Sequence, residues 1–111
     1  MEEKIKDDKC NIIDDLRGCN DEKEIERILA DISDYIRNRC YSFVQIKEIL
    51  YVIDKYDLLS LNYSTREQVL YTICEITECY QIKETNIMTS LMSIREYLEP
   101  DLKAYVDEIL S

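Results

Sequence analysis

Residues 21–37 read DEKEIERILADISDYIR. Ile25, Ile28, Leu29, Ile32, Tyr35 and Ile36 recur in this stretch at helical spacing and fall on one stripe. Asp21, with Glu24 three residues later, opens it as a helix N-cap, because the carboxylate accepts a bond from a backbone N–H that has no partner inside the helix. A half-buried strand would need strict alternation, which is absent here. The segment predicts an amphipathic helix, and the rest of the chain repeats its logic.

Upstream, a helix over Glu2–Arg17 places Ile5, Ile12, Ile13 and Leu16 on one stripe, with Gly18 positioned to end it in a left-handed conformation. Downstream, Ser42 and Gln45 form a capping-box signature. They open a third helix with Phe43, Ile46, Ile49, Leu50, Ile53 and Tyr56 facing inward. The period breaks over Asp57–Tyr63, and Ser64-Thr65-Arg66-Glu67 reads as a second box. The helix it opens carries Val69, Leu70, Ile73, Ile76 and Tyr80 and stops over Gln81–Thr85. A short fifth helix holds Ile87, Leu91, Ile94, Tyr97 and Leu98. Pro100 then suits the first turn of a sixth, where its missing N–H is not needed. Leu102, Tyr105, Val106, Ile109 and Leu110 form that last stripe. The expected fold is all-α, a single compact domain over residues 1–111 made of about six amphipathic helices packed as helical hairpins.

An internal echo links Glu48–Ile53 with Gln68–Ile73, 20 residues further on by subtraction of 48 from 68. Helical-hairpin repeats run above about 30 residues, so the echo is read as two neighbouring helices burying the same Leu/Ile stripe.

Composition narrows the function. The 111 residues hold 24 Asp and Glu against 14 Lys and Arg, with no His, one Gly and one Pro. Without His, the usual general base and zinc ligand are gone. With Gly18 alone, no glycine-rich phosphate loop can form. At −10 the chain is the wrong sign for nucleic acid, which is held by cations, and for an anionic membrane surface. No run of 18 apolar residues is present, and the charged N-terminus lacks a signal-peptide core, so the expected compartment is the cytoplasm. Cys10, Cys19, Cys40, Cys74 and Cys79 are odd in number and irregularly spaced, which fits reduced thiols and no metal site. The pairs Asp7-Asp8 and Asp14-Asp15 point apart on a helix and read as solvated faces. With Glu3 they lack the loop spacing of a calcium site. Nothing supplies a catalytic residue, and no cofactor is implied.

The aromatic set is skewed to nine Tyr, one Phe and no Trp. Tyr35, Tyr56, Tyr80, Tyr97 and Tyr105 fall on apolar stripes and are expected at core edges. Tyr51 and Tyr71 are rotated one residue off theirs, towards solvent or a neighbouring helix. Tyr71, Glu75 and Glu78 share one helix face with no basic residue between Glu67 and Gln81, and Tyr51 neighbours Asp54 on the third helix. Were the two helices side by side, Tyr51, Asp54, Tyr71, Glu75 and Glu78 would form an acidic, Tyr-bearing partner-binding surface suited to a basic protein.

In size, charge and helical pattern over the whole chain, the sequence resembles small acidic bacterial toxin-immunity proteins and phage-encoded inhibitors. That resemblance implies a non-enzymatic chain whose carboxylates occupy the basic groove of a toxin or nuclease-like partner while Tyr anchors fill adjacent pockets. The competing expectation is a structural or adaptor domain that homodimerises or takes a partner helix in an apolar groove.

Overall fold

The computed structural model describes residues 11–82 and 86–111. They form α1 (residues 11–17), α2 (Glu22–Arg37), α3 (Phe43–Asp54), α4 (Tyr63–Cys79), α5 (Asn86–Ile94) and α6 (Pro100–Leu110). Short 3-10 turns cover Leu58–Ser60 and Arg95–Tyr97, and no strand occurs among the described residues. The protein is an all-α, single compact domain. The expected start at Glu2, with Ile5, Asp7, Asp8 and Cys10, lies outside the described residues.

Three helix starts form as local chemistry dictates. Asp21 accepts from the Glu24 N–H at 3.2 Å. Both arms of the Ser42 capping box are made: the Gln45 N–H donates to Ser42 Oγ at 3.2 Å and the Ser42 N–H to Gln45 Oε1 at 2.8 Å. Pro100 occupies the first turn of α6.

Two expected end signals are used differently. The Ser64 box does not cap α4, which begins at Tyr63. Carboxylates of α2 serve that helix end instead: the Asn62 N–H donates to Glu22 at 2.7 Å, and Ser64 and Thr65 hydroxyls donate to Glu26 at 3.1 and 2.9 Å. Gly18 does not take a positive φ; among the described residues Arg39 does, at 55°. It closes α2, with the Arg39 N–H bonded to Ile36 O at 2.9 Å and the Cys40 N–H to Tyr35 O at 3.0 Å. This is a Schellman ending, with Arg where glycine is usual.

Long-range contacts reveal the stacking rule. Glu26 meets Thr65, Ser33 meets Thr72 and Tyr41 meets Tyr80, each pair separated by 39 residues. A constant positive offset means that α2 and α4 run parallel. Tyr63 bonds Asp101, Tyr105 Oη bonds Glu67 and Cys74 Sγ bonds Tyr105 O, separations of 38, 38 and 31 residues, so α6 also packs along α4 but without a fixed step. The intervening α3 and α5 return the chain and pack on each other, joined by Ser90 Oγ donating to Asp54 at 2.6 Å. Residues 16 and 17 extend that second layer, through Tyr56 Oη to Leu16 O at 3.4 Å and Arg17 to Glu48 at 3.1 Å. The molecule is a short stack of helices in two layers, with α2 and α4 in step at 39 residues. The 20-residue echo joins α3 to α4, helices of different layers, and does not mark this step.

The stripes of all six helices meet between the layers. Leu29, Ile32, Ile36, Ile46, Ile49, Leu70, Ile73, Ile76, Leu91, Leu102 and Val106 are fully enclosed. Phe43 and Tyr97 depart from the expected core. Phe43 is the first residue of α3 and stands 47 % exposed. The 3-10 turn at Arg95–Tyr97 rotates the chain after Ile94, so Leu98 is buried and Tyr97 is 73 % exposed.

Candidate functional site

Parallel packing sorts the carboxylates. At the N-terminal edge of α2, α4 and α6, Glu22, Glu26 and Glu99 are consumed by structure. Glu22 and Glu26 serve the start of α4, and Glu99 pairs with Arg66 Nη1 at 2.9 Å. At the C-terminal edge the situation reverses. Neither α4 nor α6 carries a basic residue in its last turn. Each helix end carries a partial negative charge of about half a unit, so the two add to the side-chain acids there. Cys74 lies near this edge, its Sγ donating to Tyr105 O at 3.6 Å. Burial pushes the Cys74 thiol up to about 12, with Glu108, Glu78 and Glu75 adding in that order. It is therefore a protonated thiol at neutral pH and no nucleophile.

Beside this edge lies the seam between α2 and α4. Arg37 reaches across it, donating to Tyr71 Oη at 3.2 Å and standing 3.8 Å from Glu75 Oε2, while Asp34 holds its other Nη. Glu75 is only 9 % exposed. The Tyr71 hydroxyl is held above its usual range, chiefly by the Glu75 carboxylate, with Arg37 opposing. Glu78 and Glu108 are exposed, and no cation among the described residues pairs with either. The face expected from α4 is therefore compensated at Glu75 and open at Glu78.

The five residues singled out in the sequence do not converge. Tyr71, Glu75 and Glu78 sit together. Asp54 turns instead to α5, where it accepts from Ser90 and lines a cleft of about 210 Å³ with Asp57. Tyr51 lies beneath Lys55, whose Nζ is 4.4 Å from the ring centroid, so its surroundings are cationic. Three members of the site were missed: Asp34, Arg37 and Glu108. They come from α2 and α6, and only the parallel stacking brings them to α4.

Among the described residues, no three His, Cys, Asp or Glu side chains are grouped to hold a metal, and no helix is long and apolar enough to cross a membrane. No family model, curated protein or solved structure matches the chain.

Proposed function

We propose that the protein is a non-catalytic binding module of the inhibitor or immunity type, acting in the cytoplasm, which takes up a basic partner protein on the C-terminal edge of α4 and α6. The observation that supports this most is the pairing of two parallel helix C-termini, bare of basic residues in their last turns, with Glu78 and Glu108, which pair with no cation among the described residues. Cations are favoured at such ends, and neither α4 nor α6 carries one in its last turn. Tyr71 and Glu75 extend the surface with a half-exposed ring beside charge, the combination that anchors interfaces. The partner's Lys and Arg side chains meet Glu78 and Glu108, and Tyr71 packs against their stems. Cys19, Cys74 and Cys79 are free thiols, in keeping with a reducing compartment.

Calorimetric titration with an octa-arginine peptide at low and high salt tests the reading. Glu78→Gln/Glu108→Gln should weaken binding about tenfold, since two charge-assisted contacts disappear. Asp15→Asn/Asp31→Asn removes equal charge elsewhere and should change it little. Equal losses in both variants would mean that only net charge attracts the peptide, and this edge would then be no site.

A further inference from the structure

The outward side of α3 has the opposite character to the acidic edge. Phe43, Lys47, Tyr51 and Lys55 follow one another at four-residue steps, so they form a single row about 18 Å long, with Val44 beside it. Phe43 is 47 %, Val44 66 % and Tyr51 64 % exposed. Lys47 Nζ sits 5.3 Å from the Phe43 centroid and Lys55 Nζ 4.4 Å from that of Tyr51. Among the described residues, neither lysine has a carboxylate within salt-bridge distance, although the chain holds 24 acids. The nearby Glu48 is already paired with Arg17. A row of exposed apolar and aromatic groups edged by cations without counter-ions is an interface in want of an acidic, ring-bearing surface.

That surface exists on the same molecule. We propose that the α3 row docks a second copy of this chain, on the Tyr71, Glu78 and Glu108 edge of α4 and α6. The inference rests on reading that edge as an interface. Lys47 and Lys55 then face Glu78 and Glu108, and Phe43, Val44 and Tyr51 cover the ring of Tyr71. Overall repulsion between two chains of −10 acts mainly through distant faces. These are screened beyond about 8 Å at physiological salt, whereas contact pairs are screened less. Donor and acceptor surfaces differ, so the contact is head-to-tail and continues from copy to copy. Each such contact also covers the edge that a basic partner would use.

Sedimentation equilibrium at physiological salt, from micromolar to about millimolar protein, tests this. The average mass should rise with concentration from 13.3 kDa towards twice that value and beyond. Lys47→Glu/Lys55→Glu and Glu78→Lys/Glu108→Lys should each weaken association at least tenfold, and mixing the two variants should restore it. All four positions are exposed, and unchanged melting curves confirm that the variants fold. A mass of 13.3 kDa throughout, or association indifferent to both reversals, overturns the proposal. So does a wild-type monomer whose α3 row binds a poly-glutamate peptide, which would assign the row to a different acidic partner. A monomer that still binds octa-arginine through Glu78 and Glu108 separates this failure from failure of the acidic-edge reading.

Discussion

The hydroxyls of Ser33 and Thr72 lie 3.0 Å apart, buried in the seam between α2 and α4. Gln68 Nε2 adds a bond to Thr72 Oγ1 at 3.2 Å. This polar pair sits between otherwise apolar stripes and holds the register of the two parallel helices. Sliding α2 by one turn would leave buried hydroxyls without partners, a cost of about 1–3 kcal/mol each.

Either member alone should therefore be costly to remove. Ser33→Ala or Thr72→Val should lower unfolding free energy by about 1–2 kcal/mol, each stranding the other hydroxyl. The double variant should lose clearly less than the sum. A urea double-mutant cycle checks this, and strict additivity would show that the pair is not coupled.

Arg66 has the largest effect expected of any charged side chain. Its side chain is 11 % exposed, and the guanidinium donates to the carbonyls of Leu58, Leu59 and Leu61 while pairing with Glu99. It ties the 3-10 turn, the start of α4 and the start of α6 together. Arg66→Met should cost about 2 kcal/mol, because the partly buried carbonyls of Leu58 and Leu61 lose their charged donor. In thermal melts the midpoint should fall by roughly 10 °C. Lys at this position cannot reproduce the planar fork and should recover only part of the loss.

Arg39→Gly should stabilise the protein. Arg39 takes φ 55° with the helix-closing bonds of α2 already made. Glycine removes the left-handed penalty of about 1–2 kcal/mol and returns some as added freedom in the unfolded chain. A net gain of about 0.5–1 kcal/mol is expected in denaturant titrations, and a loss would mean that the arginine side chain carries an interaction worth more than the strain.

Stability should fall in alkali. The Cys74 thiol and the Tyr56 hydroxyl are both raised to about 12, from 9.0 and 10.0, with burial the leading cause in each. The unfolded chain therefore releases these protons first. The fold is at full strength below about pH 9 and weakens as pH rises towards 12. Cys74→Ala should flatten the pH dependence of the urea midpoint over that range, even though it lowers the midpoint at pH 7. In thiol labelling of the native protein, Cys74 should react far more slowly than Cys19, Cys40 or Cys79, which are partly exposed.

Acid acts on a different set. Asp107 is held below its usual range by Arg95, with two bonds at 2.6 and 2.8 Å, and Glu24 by Arg27. Depressed carboxylates contribute above their unfolded values near 4 and are lost as pH falls through the folded ones. Both are exposed, so Asp107→Asn should soften acid unfolding only slightly.

The sequence by itself determined the class and the elements of this protein. The 3.6-residue period of Ile25 to Ile36, the Ser42 box and the placing of Pro100 are local chemistry, set within one or two turns of chain. They survive folding unchanged. The grouping of Tyr71, Glu75 and Glu78 was legible for the same reason, since one helix decides it. Tertiary structure decided what surrounds them. Parallel stacking brings Arg37 to Glu75, gives the start of α4 to Glu22 and Glu26, and lays Tyr105 O of α6 against Cys74. It also separates Tyr51 and Asp54 from the face they were expected to share. Charge along a helix is written in the chain, but whether that charge is neutralised depends on which helix packs alongside.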